Sequence, residues 1–194
     1  MSIPNLSPCI PRARGGFSKW IGLVVLKSLG WKVAGELPEN KKFVMAIAPH
    51  TSNWDFVICV AVMLALNLRV QFMGKDSLFI WPIKGILIRL GGIAIHRGSK
   101  QGVVAQMVQQ FEQQEQLVLA IAPEGTRSKT IEWKKGFLLI ASQAKVPVVP
   151  VSLDYRKKEV TLLPSSYIGD DIDEELARFK LNFTGVCAKK PQAV

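Results

Sequence analysis

Residues 42–66 read KFVMAIAPHTSNWDFVICVAVMLAL, and the order of parts within them decides the fold class. Lys42–Ala48 is an apolar run of strand length, uncharged after its first residue. Residues 54–66 have helical length, with a clean apolar stretch from 56 to 66. Between the two lies a short polar loop in which Thr51, Ser52 and Asn53 are all good caps for the helix that follows. A buried strand feeding a helix through a tight loop is the repeating unit of an α/β sheet.

The same alternation runs outward along the chain. Downstream, 69–73 reads as a strand, 81–90 as a helix opened near Pro82, and 93–96 as a third strand. In 101–116, Val103, Val104, Met107, Val108 and Phe111 recur at helical spacing, with glutamines on the other face. Strands are expected at 117–122 and 146–153, a helix at Gly136–Ala144, and a possible further strand at 159–163. Acids at the start of 170–180 favour a helix N-terminus there. The expected fold is therefore α/β: a single domain with a mostly parallel central sheet flanked by helices, preceded by an N-terminal amphipathic helix. Residues 1–34 read as a Pro- and Gly-rich arm plus that helix, and 35–194 as the domain.

The helix at 17–31 permits two readings: a buried helix, or an interfacial one with Trp20 and Trp31 at headgroup depth and lysines toward anionic lipid. No segment reaches the roughly 18–20 apolar residues of a membrane-spanning helix. A net charge of +10 suits a polyanionic partner without naming it. The basic residues are dispersed and carry no nucleic-acid motif, so no nucleic-acid partner is expected. Cys9, Cys59 and Cys187 are odd in number and far apart, which suits reduced thiols in a cytosolic compartment.

Three clusters carry candidate chemistry, and a fourth reads as structural. His50 and Asp55 are five residues apart, which on a continuous helix would turn the two side chains about 140° from each other. A strand-to-helix turn can instead bring them together, and an aspartate on one ring nitrogen leaves the other to take a proton. The run from Pro123 to Ser128, PEGTRS, follows an apolar strand, where parallel α/β proteins place ligand loops. There Gly125 permits a tight bend, Thr126 and Arg127 suit a phosphate, and Glu124 is read as orienting Arg127 or bonding an acceptor hydroxyl. A glycine-led strand from Gly91 ends in His96 and Arg97. Finally, VPVVPV at 146–151 is a strand whose two prolines restrict its ladder. Nucleophile-elbow, P-loop, dinucleotide and H-E-x-x-H signatures are absent from the sequence.

Taken in order, these pieces resemble the glycerophospholipid acyltransferase family, typified by 1-acylglycerol-3-phosphate acyltransferases. The His-x4-Asp block corresponds to His50 and Asp55 with Ser52 at the usual serine, and PEGTRS matches at every position. The resemblance spans 43–153. It implies His50 as general base and Asp55 as its orienting partner, with Ser52, Arg97, Glu124, Gly125, Thr126 and Arg127 binding substrate. It implies acyl transfer from acyl-CoA or acyl-carrier protein to a hydroxyl of a lysophospholipid or glycerolipid, without metal, cofactor or acyl-enzyme. The partners it implies are the thioester donor, the lipid acceptor and an anionic membrane surface, met peripherally or monotopically on its cytoplasmic face. Pro49, Ala94, His96 and Ala122 depart from the family's usual residues, and the chain is short beside lysophosphatidate enzymes. Those departures bear on the acceptor and leave the acyl-transfer chemistry in place. The alternative is a non-catalytic lipid or acyl-carrier binding module on the same fold.

Overall fold

A computed structural model of the chain describes residues 4, 6–13, 15–95, 102–126 and 132–191. Its strands are β1 (Lys32–Gly35), β2 (Lys42–Ala48), β3 (Val70–Lys75), β4 (Gly92–Ile95), β5 (Leu117–Ile121), β6 (Val148–Asp154) and β7 (Glu159–Leu162). Its helices are α1 (Gly16–Leu29), α2 (Asn53–Ala65), α3 (Ile83–Arg89), α4 (Gly102–Gln113), α5 (Gly136–Ala144) and α6 (Ile172–Leu181). A short 3-10 turn (Asp76–Leu78) precedes α3.

The strands form one sheet in the order β1-β7-β6-β2-β5-β3-β4. Neighbours are parallel except β6 and β7. That exception follows from chain length. Only residues 155–158 separate the two strands, far too few for a parallel crossover. Asp154 shapes the turn, its Oδ1 accepting from the amides of Arg156 at 2.9 Å and Lys157 at 3.1 Å.

Strand β2 sits at the centre, and Phe43 to Ala46 are buried on both faces. One face packs against α1 and α2 through Leu26, Ile58, Val62 and Met45. The other packs against α4, α5 and α6 through Phe111, Phe137, Leu138 and Phe179. The expected α/β architecture is therefore present, with helices on both sides. Acids do mark the start of α6, where the Asp171 side chain accepts from the amides of Asp173 and Glu174.

Three features differ from the sequence reading. Strand β1 was not expected; it is four residues long, only Val33 is fully buried, and it exists by pairing in parallel with β7. It also straddles the boundary placed between 34 and 35. Trp31 is not at headgroup depth: it is 5% exposed and meets Tyr155 edge-on at 4.8 Å. The described part of the arm is irregular but pinned, with Ile10 in the core and Ala13 donating to the Asn67 carbonyl.

Helix α1 lies on α2 at a close approach fixed by Gly22. A side chain there would run into the backbone of Ala61 and Ala65. Gly22→Val is expected to lower the unfolding free energy by about 1–3 kcal/mol through overpacking. Urea denaturation checks this, and an unchanged midpoint would mean that the two helices separate without cost.

Candidate active site

The site is built where β2 turns into α2. Ser52 is the N-cap, in extended backbone, and its Oγ accepts the Trp54 amide at 3.2 Å. Asp55, in the first turn, reaches back so that its Oδ2 accepts the amides of Thr51 and Ser52, each at 2.7 Å. This reciprocal capping box holds the loop closed over the helix end. The same Oδ2 lies 3.5 Å from Nδ1 of His50. The strand-to-helix turn thus brings the two side chains together as the sequence allowed. Asp55 is wholly buried, while the His50 side chain keeps 19% of its surface exposed.

The other Asp55 oxygen, Oδ1, accepts the phenol of Tyr155 at 2.6 Å. Tyr155 comes from the β6–β7 turn, 100 residues away, and nothing in the sequence spacing announces it. Burial and the hydrogen bond to Asp55 push its phenol pKa well above the ordinary value. Residues 187–190 close over the same loop. The Tyr155 amide donates to the Cys187 carbonyl at 2.8 Å, and the Lys190 amide donates to Thr51 Oγ1 at 3.2 Å.

Strand β5 neighbours β2, so the loop after it meets the His50 loop. Glu124 is 5% exposed, and its Oε2 accepts the His50 amide at 2.8 Å. That carboxylate oxygen is therefore engaged in fixing the His50 backbone, a role the sequence reading did not assign. Gly125 sits at φ 65, and both it and Thr126 are exposed beside the buried glutamate. Arg97 and Arg127 lie outside the described residues. Ser52 is buried as a helix cap and does not line the cavity described next.

An apolar cavity of about 610 Å³ opens beside His50, bounded by α2, α3 and the sheet. Phe56, Met63, Phe72, Leu87 and Leu162 form its walls. Among the described residues, the hydrogen-bonding side chains lining it, besides the Cys59 thiol, are those of His50 and Asn53. Burial, with Asp55 adding to it, pushes the Cys59 thiol up to about 12, so this sulfur stays protonated and is a poor nucleophile.

The chain carries the sequence pattern of the Acyltransferase family model over residues 31–154. It belongs to that family. The match ends at Asp154, one residue before Tyr155, so the phenol on Asp55 stands outside it. A 1-acyl-sn-glycerol-3-phosphate acyltransferase of Cocos nucifera is 42% identical over 171 residues, covering 80% of this chain and 54% of that protein. A lyso-ornithine lipid O-acyltransferase of Pseudomonas aeruginosa is 28% identical over 146 residues, covering 72% and 53%. The chain spans about half the length of these curated relatives. In fold, it resembles the crystal structure of the 1-acyl-sn-glycerophosphate acyltransferase of Thermotoga maritima. The TM-score is 0.59 at 20% identity, covering 89% of this chain and 80% of that one.

Two measurements probe this family member's site without any substrate. Tyr155→Phe leaves a buried carboxylate oxygen without its phenol and is expected to cost about 2 kcal/mol of stability. Its effect should largely vanish in an Asp55→Asn background, a double-mutant cycle read by urea unfolding. Additive costs would show that the bond contributes nothing.

Burial lifts the Glu124 carboxyl above its ordinary 4.5; the His50 N–H opposes the rise and the Asp55 charge adds to it. Between those two values the folded chain holds a proton that the unfolded chain has released. Stability from this group is therefore lost as pH rises through that window. Glu124→Gln should flatten the corresponding part of the stability profile, measured from about pH 4 to about pH 7. An unchanged slope would contradict the shift.

Proposed function

We propose that the protein transfers a fatty acyl chain from a thioester, acyl-CoA or acyl-carrier protein, to a hydroxyl of a lysophospholipid. The observation that carries this reading is the apolar cavity with His50 on its wall. Each methylene buried in such a cavity contributes roughly 0.8 kcal/mol, so a long acyl chain binds without help from charges. Its thioester carbon then lies beside the imidazole.

In this reading His50 takes the proton of the acceptor hydroxyl at Nε2, the ring nitrogen opposite the one beside Asp55. The hydroxyl oxygen attacks the thioester carbonyl carbon. Collapse of the tetrahedral intermediate breaks the carbon–sulfur bond, and the departing thiolate receives the proton from His50. The exchange balances with no acyl-enzyme and no metal. Asp55 holds the imidazole and favours its protonated form, as the 3.5 Å contact supports. Arg97, Gly125, Thr126 and Arg127 bind the acceptor headgroup, a role that rests on the family resemblance. The amides of Thr51, Ser52 and Trp54 are bonded to Asp55 and Ser52, so in this reading these three do not serve the oxyanion of the tetrahedral intermediate.

The acceptor and the donor's acyl chain are lipids, so the reading includes peripheral association with an anionic membrane on its cytoplasmic face. The net charge of +10 supports it, as do Phe17, Trp20 and Val24 exposed on α1. Among the described residues no helix is long and apolar enough to cross a membrane.

The test is thiol release from palmitoyl-CoA, or from palmitoyl-acyl-carrier protein, across a panel of lysophospholipids. His50→Ala is expected to lower acceptor-dependent release by about 10²–10⁴ while the chain stays folded. A variant with near-wild-type rates would remove His50 from the reaction. Silence of the wild type with both donors would remove acyl transfer itself.

A further inference from the structure

The connection between β3 and β4 leaves its apolar side chains in the open. Along residues 76–90, Leu78, Ile80, Trp81, Ile83, Ile86 and Ile88 are each more than half exposed, and Trp81 is 90% exposed. Monomeric proteins seldom display so many large apolar groups on one short segment. The segment carries one acid, Asp76, against exposed Lys84 and Arg89.

Its inner side explains how it is held. The Phe79 ring packs over Gly74 and Gly92; a Cβ on Gly74 would lie 2.8 Å from Phe79 Cε2. Phe79 and Leu87 line the apolar cavity beside His50. Leu78 and Ile83 belong to both surfaces: they line the cavity and are also more than half exposed. The wall between cavity and surroundings is here one side chain thick, and both of its faces are apolar.

We infer that residues 78–88 seat in an anionic lipid bilayer, so that the acyl chain enters and leaves the cavity sideways, without crossing water. The inference rests on the acyl-transfer reading for what occupies the cavity. A bilayer fits the composition of the segment. Tryptophan favours headgroup depth, Lys84 and Arg89 meet anionic headgroups, and the isoleucines face acyl chains. A second copy fits less well, because each chain carries a charge of +10 and repels the other. This surface is distinct from the exposed face of α1.

The test compares the full chain with the variant I80S/W81S/I86S, whose three positions do not line the cavity. Sedimentation with vesicles of phosphatidylcholine and phosphatidylglycerol is expected to show at least a tenfold loss of partitioning, with an unchanged unfolding midpoint. A second measurement uses a W20F/W54F chain, in which Trp81 is the one strongly exposed tryptophan left. Adding W81F should remove most of the tryptophan quenching that vesicles with bromine-labelled acyl chains produce in the W20F/W54F chain. Equal vesicle binding by the triple variant, or equal quenching with and without W81F in that background, would overturn the inference. So would a wild-type dimer in solution that the triple variant converts to a monomer. Partitioning is read without turnover, so a chain that seats through this segment yet transfers no acyl group would sink the acyl-transfer reading alone.

Discussion

Everything at the site depends on a carboxylate that has lost its water. Asp55 has no exposed surface, and a buried charge persists only where hydrogen bonds replace its hydration. Its bonds come from two loop amides and one phenol, which tie together the start of α2, the loop before it and the β6–β7 turn. Glu124 does the same on a smaller scale by holding the His50 amide. The loop therefore owes its shape to two buried carboxyl groups, and the imidazole inherits its position from that shape. This arrangement also uses up donors: the amides that close on Asp55 are withdrawn from any oxyanion forming beside His50.

The local parts of this arrangement were legible in the sequence. A strand of Phe43 to Ala48, a capping residue at Ser52 and an acid three residues later specify a turn within one short stretch, and the chain obeys them. The central sheet was legible for the same reason, since Lys42–Ala48, 117–122 and 146–153 are apolar runs too short for helices. What escaped was whatever depends on partners distant in the chain. Strand β1 has one buried side chain and takes its identity from β7. Tyr155 is an ordinary turn residue until the sheet carries it to Asp55. Trp31 looked amphipathic in sequence, and only the ring of Tyr155 settles which way it points.

Charge and hydrophobicity are sorted by distance from His50. On one side lie the polar loop, Glu124 and the exposed Thr126. On the other, the cavity walls are apolar through α2, α3 and the sheet. One sheet supports both because parallel neighbours β2 and β5 deliver their loops to the same edge, while their side chains line the space beneath.

The bonds from residues 187–190 set an order on the making of this part of the molecule. Thr51 leaves the ribosome first, and its partner Lys190 follows 139 residues later. Over that interval of synthesis the His50 loop exists without the segment that closes over it and over Tyr155. Contacts so far apart in sequence are the slow ones to form. A nascent chain thus carries His50 and Asp55 well before the segment that closes over their loop is made.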